Sequence, residues 1–154
     1  MSIQIVLGSK SDMRVAEKAI EVLKELGIKY KLTVASAHRT PELVDKLARQ
    51  ADAEVFIAIA GLSAALPGVI AARTMKPVIG VPVSGALNLD AILSVVQMPP
   101  GIPVAGVGLD RGDNAALLAA AIIALNDEKV RKALANYRQK LKDKVVQDSK
   151  EVEV

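Results

Sequence analysis

The sequence predicts an α/β protein: a three-layer α/β/α sandwich on a mostly parallel, flavodoxin-like sheet, with an extra C-terminal helix. Three observations predict it. Apolar runs of β character alternate with helix-periodic stretches five times along the 154 residues. Several of those runs are apolar almost throughout, as strands covered on both faces are. The length suits one domain with a substantial core, and no linker, low-complexity tract or composition shift divides it, so residues 1–154 are read as one domain.

The strands are expected at Ile3–Leu7, Lys31–Ala35, Val55–Ala60, Val78–Val83 and Val104–Val107. The first helix spans Asp12–Leu26. Val15, Ala16, Ala19, Val22, Leu23 and Leu26 form its apolar stripe, and Gly27 closes it. The second, Pro41–Ala51, starts with proline at a first helical position. Ala64–Met75 and Leu89–Gln97 are weaker helical patterns. Asp113–Leu125 is stronger, and a last amphipathic helix covers Asp127–Val146 before a polar tail from about residue 147. At this size the default strand order is 2-1-3-4-5. The helix through Asn114–Leu125 is apolar on all sides, which in a small sandwich implies burial against a second copy of the chain.

Composition narrows the function. Hydrophobic residues make up 51% and aromatics only 2%, so the core is aliphatic and stacked recognition of a flat ring is disfavoured. The net charge of +3 comes largely from the C-terminal stretch. It forms no dense basic face with aromatics, which argues against nucleic-acid binding. With no cysteine and a single histidine, thiolate catalysis, disulfides and a transition-metal site are not expected. The N-terminus runs straight into a strand and no segment has the apolar length of a membrane span. A soluble cytoplasmic protein is expected.

The chemistry is expected where strand ends meet helix starts, because all carboxyl ends of a parallel sheet open on one edge. Five loops lie there: 8–12, 36–40, 61–65, 84–88 and 108–114. His38, the only histidine, is the first candidate for proton transfer. Arg39 beside it can grip a phosphate in bidentate fashion, although a surface ion pair with Glu42 or another acid would also explain it. Gly8-Ser9-Lys10-Ser11-Asp12 feeds a helix N-terminus and suits a phosphate. Simple capping by Ser11 or Asp12 would also account for it. Asp12 could accept hydrogen bonds from ribose hydroxyls. Gly61 and the small residues after it permit close approach of a ligand, or merely a tight turn. The segment 97–103, rich in proline, reads as a turn or interface.

Taken together these loops resemble the PurE family of purine biosynthesis over nearly the whole chain. The elements are Gly8-Ser9-Lys10-Ser11-Asp12, Ser36-Ala37-His38-Arg39-Thr40-Pro41, Ala64-Ala65-Leu66-Pro67-Gly68 and Pro77-Val78-Ile79-Gly80-Val81-Pro82-Val83. Further along come Ser94-Val95-Val96-Gln97-Met98-Pro99, Gly101-Ile102-Pro103-Val104 and Asn114-Ala115-Ala116. The resemblance implies an enzyme acting on an aminoimidazole ribonucleotide and CO2, without organic cofactor or metal, assembled as a homo-octamer. It implies His38 as proton shuttle and Ser9, Ser11, Asp12, Ser36 and Arg39 as nucleotide contacts, with Gly61 and Ser63 lining the substrate site. The mutase class moves carboxylate from N5 to C4 of the imidazole; a second class carboxylates the ring directly with CO2. Mutase-class sequences commonly carry a histidine in the loop after strand 3, where this chain has Ala65. Ala60-Gly61-Leu62-Ser63 looks more like the CO2-using class, while Arg39-Thr40-Pro41 and Gln97-Met98-Pro99 look like the mutase class. The mutase is the preferred reading, direct carboxylation the alternative. A non-enzymatic nucleotide-binding module of the same fold is a third possibility.

Overall fold

The computed structural model describes residues 2–152. Five strands form one parallel sheet in the order β2-β1-β3-β4-β5. They are β1 (Ser2–Leu7), β2 (Lys29–Val34), β3 (Val55–Ala60), β4 (Val78–Pro82) and β5 (Ala105–Gly106). Six α-helices connect and extend them: α1 (Met13–Glu25), α2 (Pro41–Gln50), α3 (Leu66–Ala71), α4 (Asn88–Val96), α5 (Gly112–Ile123) and α6 (Glu128–Val152). The predicted sandwich, its strand order and its extra C-terminal helix are all present.

Alternation along the central strands builds two cores. Ile3, Ile5 and Leu7 of β1 point to the same face as Val55, Ile57 and Ile59 of β3 and Ile79 and Val81 of β4. That face is covered by α1 and α5, with α6 behind them. Val6, Phe56, Ala58 and Val78 point the other way, toward α2, α3 and α4. Both faces of β1, β3 and β4 are therefore dry, which is why these runs read as continuously apolar rather than alternating. Gln4 is the one buried polar residue of β1. Its amide donates to Ile5 O, Lys31 O and Thr33 Oγ1, so its burial leaves no unmet donor.

Helix ends follow the sequence signals where these are strong. Gly27 sits at φ +68°, its N–H donating to Lys24 O and that of Ile28 to Leu23 O. This left-handed cap stops α1, as expected. Pro41 begins α2. Elsewhere the boundaries move. Helix α3 is only Leu66–Ala71 rather than 64–75. The Ala65 N–H turns back onto Ser63 O, and a turn closed by Arg73 N–H on Ile70 O ends the helix ahead of Pro77. Strand β5 shrinks to Ala105–Gly106, because Pro103 brings no N–H to the ladder at its start. The stretch expected as a polar tail is helix: α6 continues to Val152, supported at its end by Gln147 Nε2 donating to Glu151 Oε1.

The apolar helix α5 is covered in part by its own chain. Ala115, Ala116, Ala119, Ala120 and Ile123 bury against α1 and the sheet. Leu117, Leu118 and Ile122 are partly covered, and α6 packs on the same helix. The chain thus supplies much of that cover itself, with Leu117, Leu118 and Ile122 left partly exposed.

Candidate active site

A cavity of about 430 Å³ opens at the carboxyl ends of β1, β2 and β3. This is the size of small-molecule sites in general. It lies where the strand order reverses between β1 and β3, the switch point at which open α/β sheets bind ligands. Its walls are Gly8, Ser9, Ser11 and Asp12 after β1, Ser36, Ala37, His38 and Arg39 after β2, and Ala60, Gly61, Leu62 and Ser63 after β3, with Leu66 of α3. Every site residue expected from the sequence lines this one cavity. The loops after β4 and β5 do not, so three of the five collected loops form the site.

The β1 loop is a short 3-10 turn, Lys10–Asp12, closed reciprocally. Ser9 Oγ accepts from the Ser11 N–H at 3.3 Å and from the Ser11 hydroxyl at 2.9 Å. Asp12 Oδ2 accepts from the Ser9 N–H at 3.1 Å. Capping is therefore part of what these residues do, and Ser9 is the capping residue rather than Ser11. Asp12 is only 7% exposed. Burial pushes its carboxyl above the ordinary value, against hydrogen bonds from Ser9 and Ser11 and the charges of Arg14 and Arg39. A buried carboxylate facing a polar cavity is costly in the folded chain and useful to a ligand that brings hydroxyl donors.

Arg39 ties two loops together. Its Nη2 donates to Gly8 O at 2.9 Å, and its Nε and backbone N–H donate to Ser36 Oγ at 3.3 and 3.2 Å. It makes no ion pair with Glu42 or any other acid among the described residues, so a surface ion pair does not account for it. A second, more open depression of about 450 Å³ adjoins the first across Arg39, with Ser9, Lys10, Ser36 and Thr40 among its walls. Two cations and three hydroxyls line it and no acid does. Asp12 and His38 belong only to the first cavity. The His38 ring is exposed and makes no hydrogen bond or ion pair among the described residues. The Leu62–Ser63 peptide beside it is cis. Ala65, which stands where a family histidine is common, caps α3 and does not line the cavity.

One cluster went unread in the sequence. Arg14 of α1 pairs with Asp110 after β5 at 3.0 Å and donates to Ser84 Oγ after β4 at 2.8 Å. Asp110 in turn accepts from the Ser84 N–H and hydroxyl. Burial alone would raise the Asp110 carboxyl, but the Ser84 and Arg14 contacts outweigh it and hold it below the ordinary value. Asp110 sits at φ +57°, a conformation aspartate tolerates better than most residues. That preference is the only sequence signal that could have marked it.

No group of three or more potential metal ligands occurs among the described residues, and no helix of them is long and apolar enough to cross a membrane. Fold and site together define a doubly wound α/β protein with a small-molecule cavity at its switch point, lined by a carboxylate, an arginine, hydroxyls and one histidine. The chain belongs to the AIR carboxylase family, whose sequence signature matches residues 2–144. It is 58% identical over 149 residues to the N5-carboxyaminoimidazole ribonucleotide mutase of Methanocaldococcus jannaschii, covering 96% of this chain and 95% of that one. It is 52% identical over 143 residues to the mutase of Pyrococcus abyssi, covering 90% and 82%. Among solved structures, PurE of Treponema denticola superposes with a TM-score of 0.89 at 34% identity, covering 99% of both chains.

Proposed function

We propose that this chain is an N5-carboxyaminoimidazole ribonucleotide mutase of purine biosynthesis. The observation that carries the site is the convergence of Ser9, Ser11, Asp12, Ser36, His38, Arg39, Gly61 and Ser63 on one cavity. The choice of mutase over direct carboxylase follows the relatives of 58% and 52% identity, both named mutases. The alanine at position 65 does not outweigh them, since that residue lies off the cavity wall.

The arrangement suggests how the nucleotide lies. The phosphate points to the acid-free depression with Arg39, Lys10 and the hydroxyls of Ser9 and Ser36. The ribose meets Asp12, and the imidazole meets His38. His38 protonates N5 as the N5–carboxylate bond breaks and CO2 leaves. Ring C4 then attacks the CO2 held in the cavity, and His38 takes back the C4 proton as aromaticity returns. The proton given and the proton recovered balance, so the enzyme ends as it began. Retaining CO2 beside C4 spares its recapture from bulk. Gly61 and Ser63 supply small walls beside the reacting carbon. With no other histidine in the chain, proton transfer rests on His38.

Self-association belongs to the same reading, as a homo-octamer in a cytoplasmic setting. Met75, Leu87, Leu89 and Val96 stand exposed on the side of β4 and β5. An apolar groove of about 410 Å³ lies near Met75 and Pro103. These are surfaces a second copy would cover. The test of function is His38→Asn, assayed with the N5-carboxylated nucleotide and, separately, with aminoimidazole ribonucleotide plus bicarbonate. Wild type turns over the first in preference at low CO2, and the variant loses roughly 10²-fold or more while still binding nucleotide. Near-normal turnover in the variant refutes the shuttle, and preference for bicarbonate refutes the mutase.

A further inference from the structure

The loop that carries His38 is closed by its last residue in an unexpected way. Thr40 stands at the N-cap position of α2. A threonine there ordinarily turns its hydroxyl toward the first N–H groups of the helix. Thr40 makes no such bond. Its Oγ1 turns back instead, accepting from the Ser36 N–H at 2.9 Å and donating to Ser36 O at 3.3 Å. The Thr40 N–H donates to the same carbonyl at 3.0 Å. These contacts close a ring around Ala37, His38 and Arg39, and the start of α2 is left to the Thr40 carbonyl, which accepts from Leu43 and Val44.

The two functional side chains in that ring are held differently. Arg39 has anchors of its own on Gly8 O and Ser36 Oγ. The His38 ring has none among the described residues, so the backbone of the loop alone aims it. We propose that Thr40 is a positioning residue for the reaction: its hydroxyl forgoes helix capping to lock the 36–40 loop and so fix where His38 meets the substrate. This rests on the reading of His38 as proton shuttle. Displacing a reacting group by about 1 Å can cost on the order of 10²-fold in rate. A loosened loop therefore lowers kcat, while Arg39 keeps its hold on the nucleotide and KM changes little.

The experiment compares Thr40→Val, which keeps the β-branched shape but leaves the Ser36 N–H without its acceptor, with Thr40→Ser, which keeps the hydroxyl. Both are assayed by steady-state turnover of the N5-carboxylated nucleotide, beside wild type and His38→Asn, after thermal melts establish that they fold. The expected result is a kcat roughly 10–100-fold lower for Thr40→Val, with KM within about threefold of wild type and most of kcat regained in Thr40→Ser. A kcat within about twofold of wild type overturns the proposal, as does a raised KM at unchanged kcat, or Thr40→Ser as impaired as Thr40→Val. If Thr40→Val does not fold, Thr40→Ala takes its place under the same criteria. Turnover retained in His38→Asn would instead remove the shuttle reading, and this proposal with it. An inactive His38→Asn beside a normal Thr40→Val removes only the role of Thr40.

Discussion

Gly112 lies directly against the backbone of α1, and its replacement by alanine gives a quantitative test of that packing. A Cβ at position 112 would stand 2.1 Å from Val15 O and 3.3 Å from Ala19 N. These are the two ends of one intrahelical hydrogen bond of α1, so neither can swing aside as a side chain would. A carbon–oxygen contact normally settles near 3.3–3.6 Å. The helices must therefore part by about 1.2 Å or more, opening the seam where Ala16 and Ala19 meet Ala115 and Ala119. Overpacking of this kind costs typically about 1–3 kcal/mol. Alanine returns less than the roughly 1 kcal/mol it gains over glycine in a helix interior, because Gly112 is the first helical residue. A net loss of about 2 kcal/mol lowers Tm by roughly 4–8 °C in a chain of this size. Urea titration reads it as a lower midpoint at unchanged slope. The same displacement moves the first turn of α1, which follows directly on Asp12, so KM rises as well. A midpoint equal to or above wild type would show that α1 and α5 are not in register at this contact.

Two further outcomes follow from charge. Asp12→Asn raises Tm near neutral pH and, on the proposed ribose contact, raises KM roughly tenfold or more through loss of a charge-assisted hydrogen bond. The sign follows from burial: a carboxyl held above its ordinary value stabilises the fold fully only below that value, and loses this contribution as pH rises through its folded-state pKa. The advantage of the amide is therefore largest at neutral pH and fades toward about pH 4; thermal melts showing a pH-independent difference would contradict it. Arg14→Leu costs about 1 kcal/mol or less near pH 7, since the arginine is half exposed. That cost shrinks as acid protonates Asp110, whose carboxyl is held low, and denaturant titrations from pH 7 to 3 check the trend.

The strands were legible because burial on both faces leaves a one-sided record: no polar residue could stand in β3, from Val55 to Ala60, without being buried. Gly27 and Pro41 were legible because backbone geometry admits few other residues at a left-handed cap or a first helical position. What the sequence could not convey is distance across the fold. Pro67 reads as a helix start, but the early end of α3 depends on a turn formed after Ala71. The apolar surface of α5 was legible, but the share of it that α6 covers was not, because the sequence does not say that α6 folds back over it.

The site shows the same division in a more useful form. Residue types identified the loops after β1, β2 and β3, and equally those after β4 and β5; nothing local separates them. The separation comes from topology. With the order 2-1-3-4-5, the crossovers leave β1 and β3 toward opposite faces and open a gap between their carboxyl ends, where open α/β sheets bind ligands. The loops after β4 and β5 fall outside that gap, and their polar residues meet Arg14 instead. Asp12 and Asp110 make the contrast concrete. Both are aspartates at a strand-to-helix loop of the same sheet edge. Asp110 is answered by an arginine and a serine within the fold and sits low in pKa. Asp12 is buried with its charge incompletely answered and sits high. The fold answers the first carboxylate with an arginine and leaves the second facing a cavity at a net cost of burial, a cost that the proposed contact with ligand hydroxyls would offset.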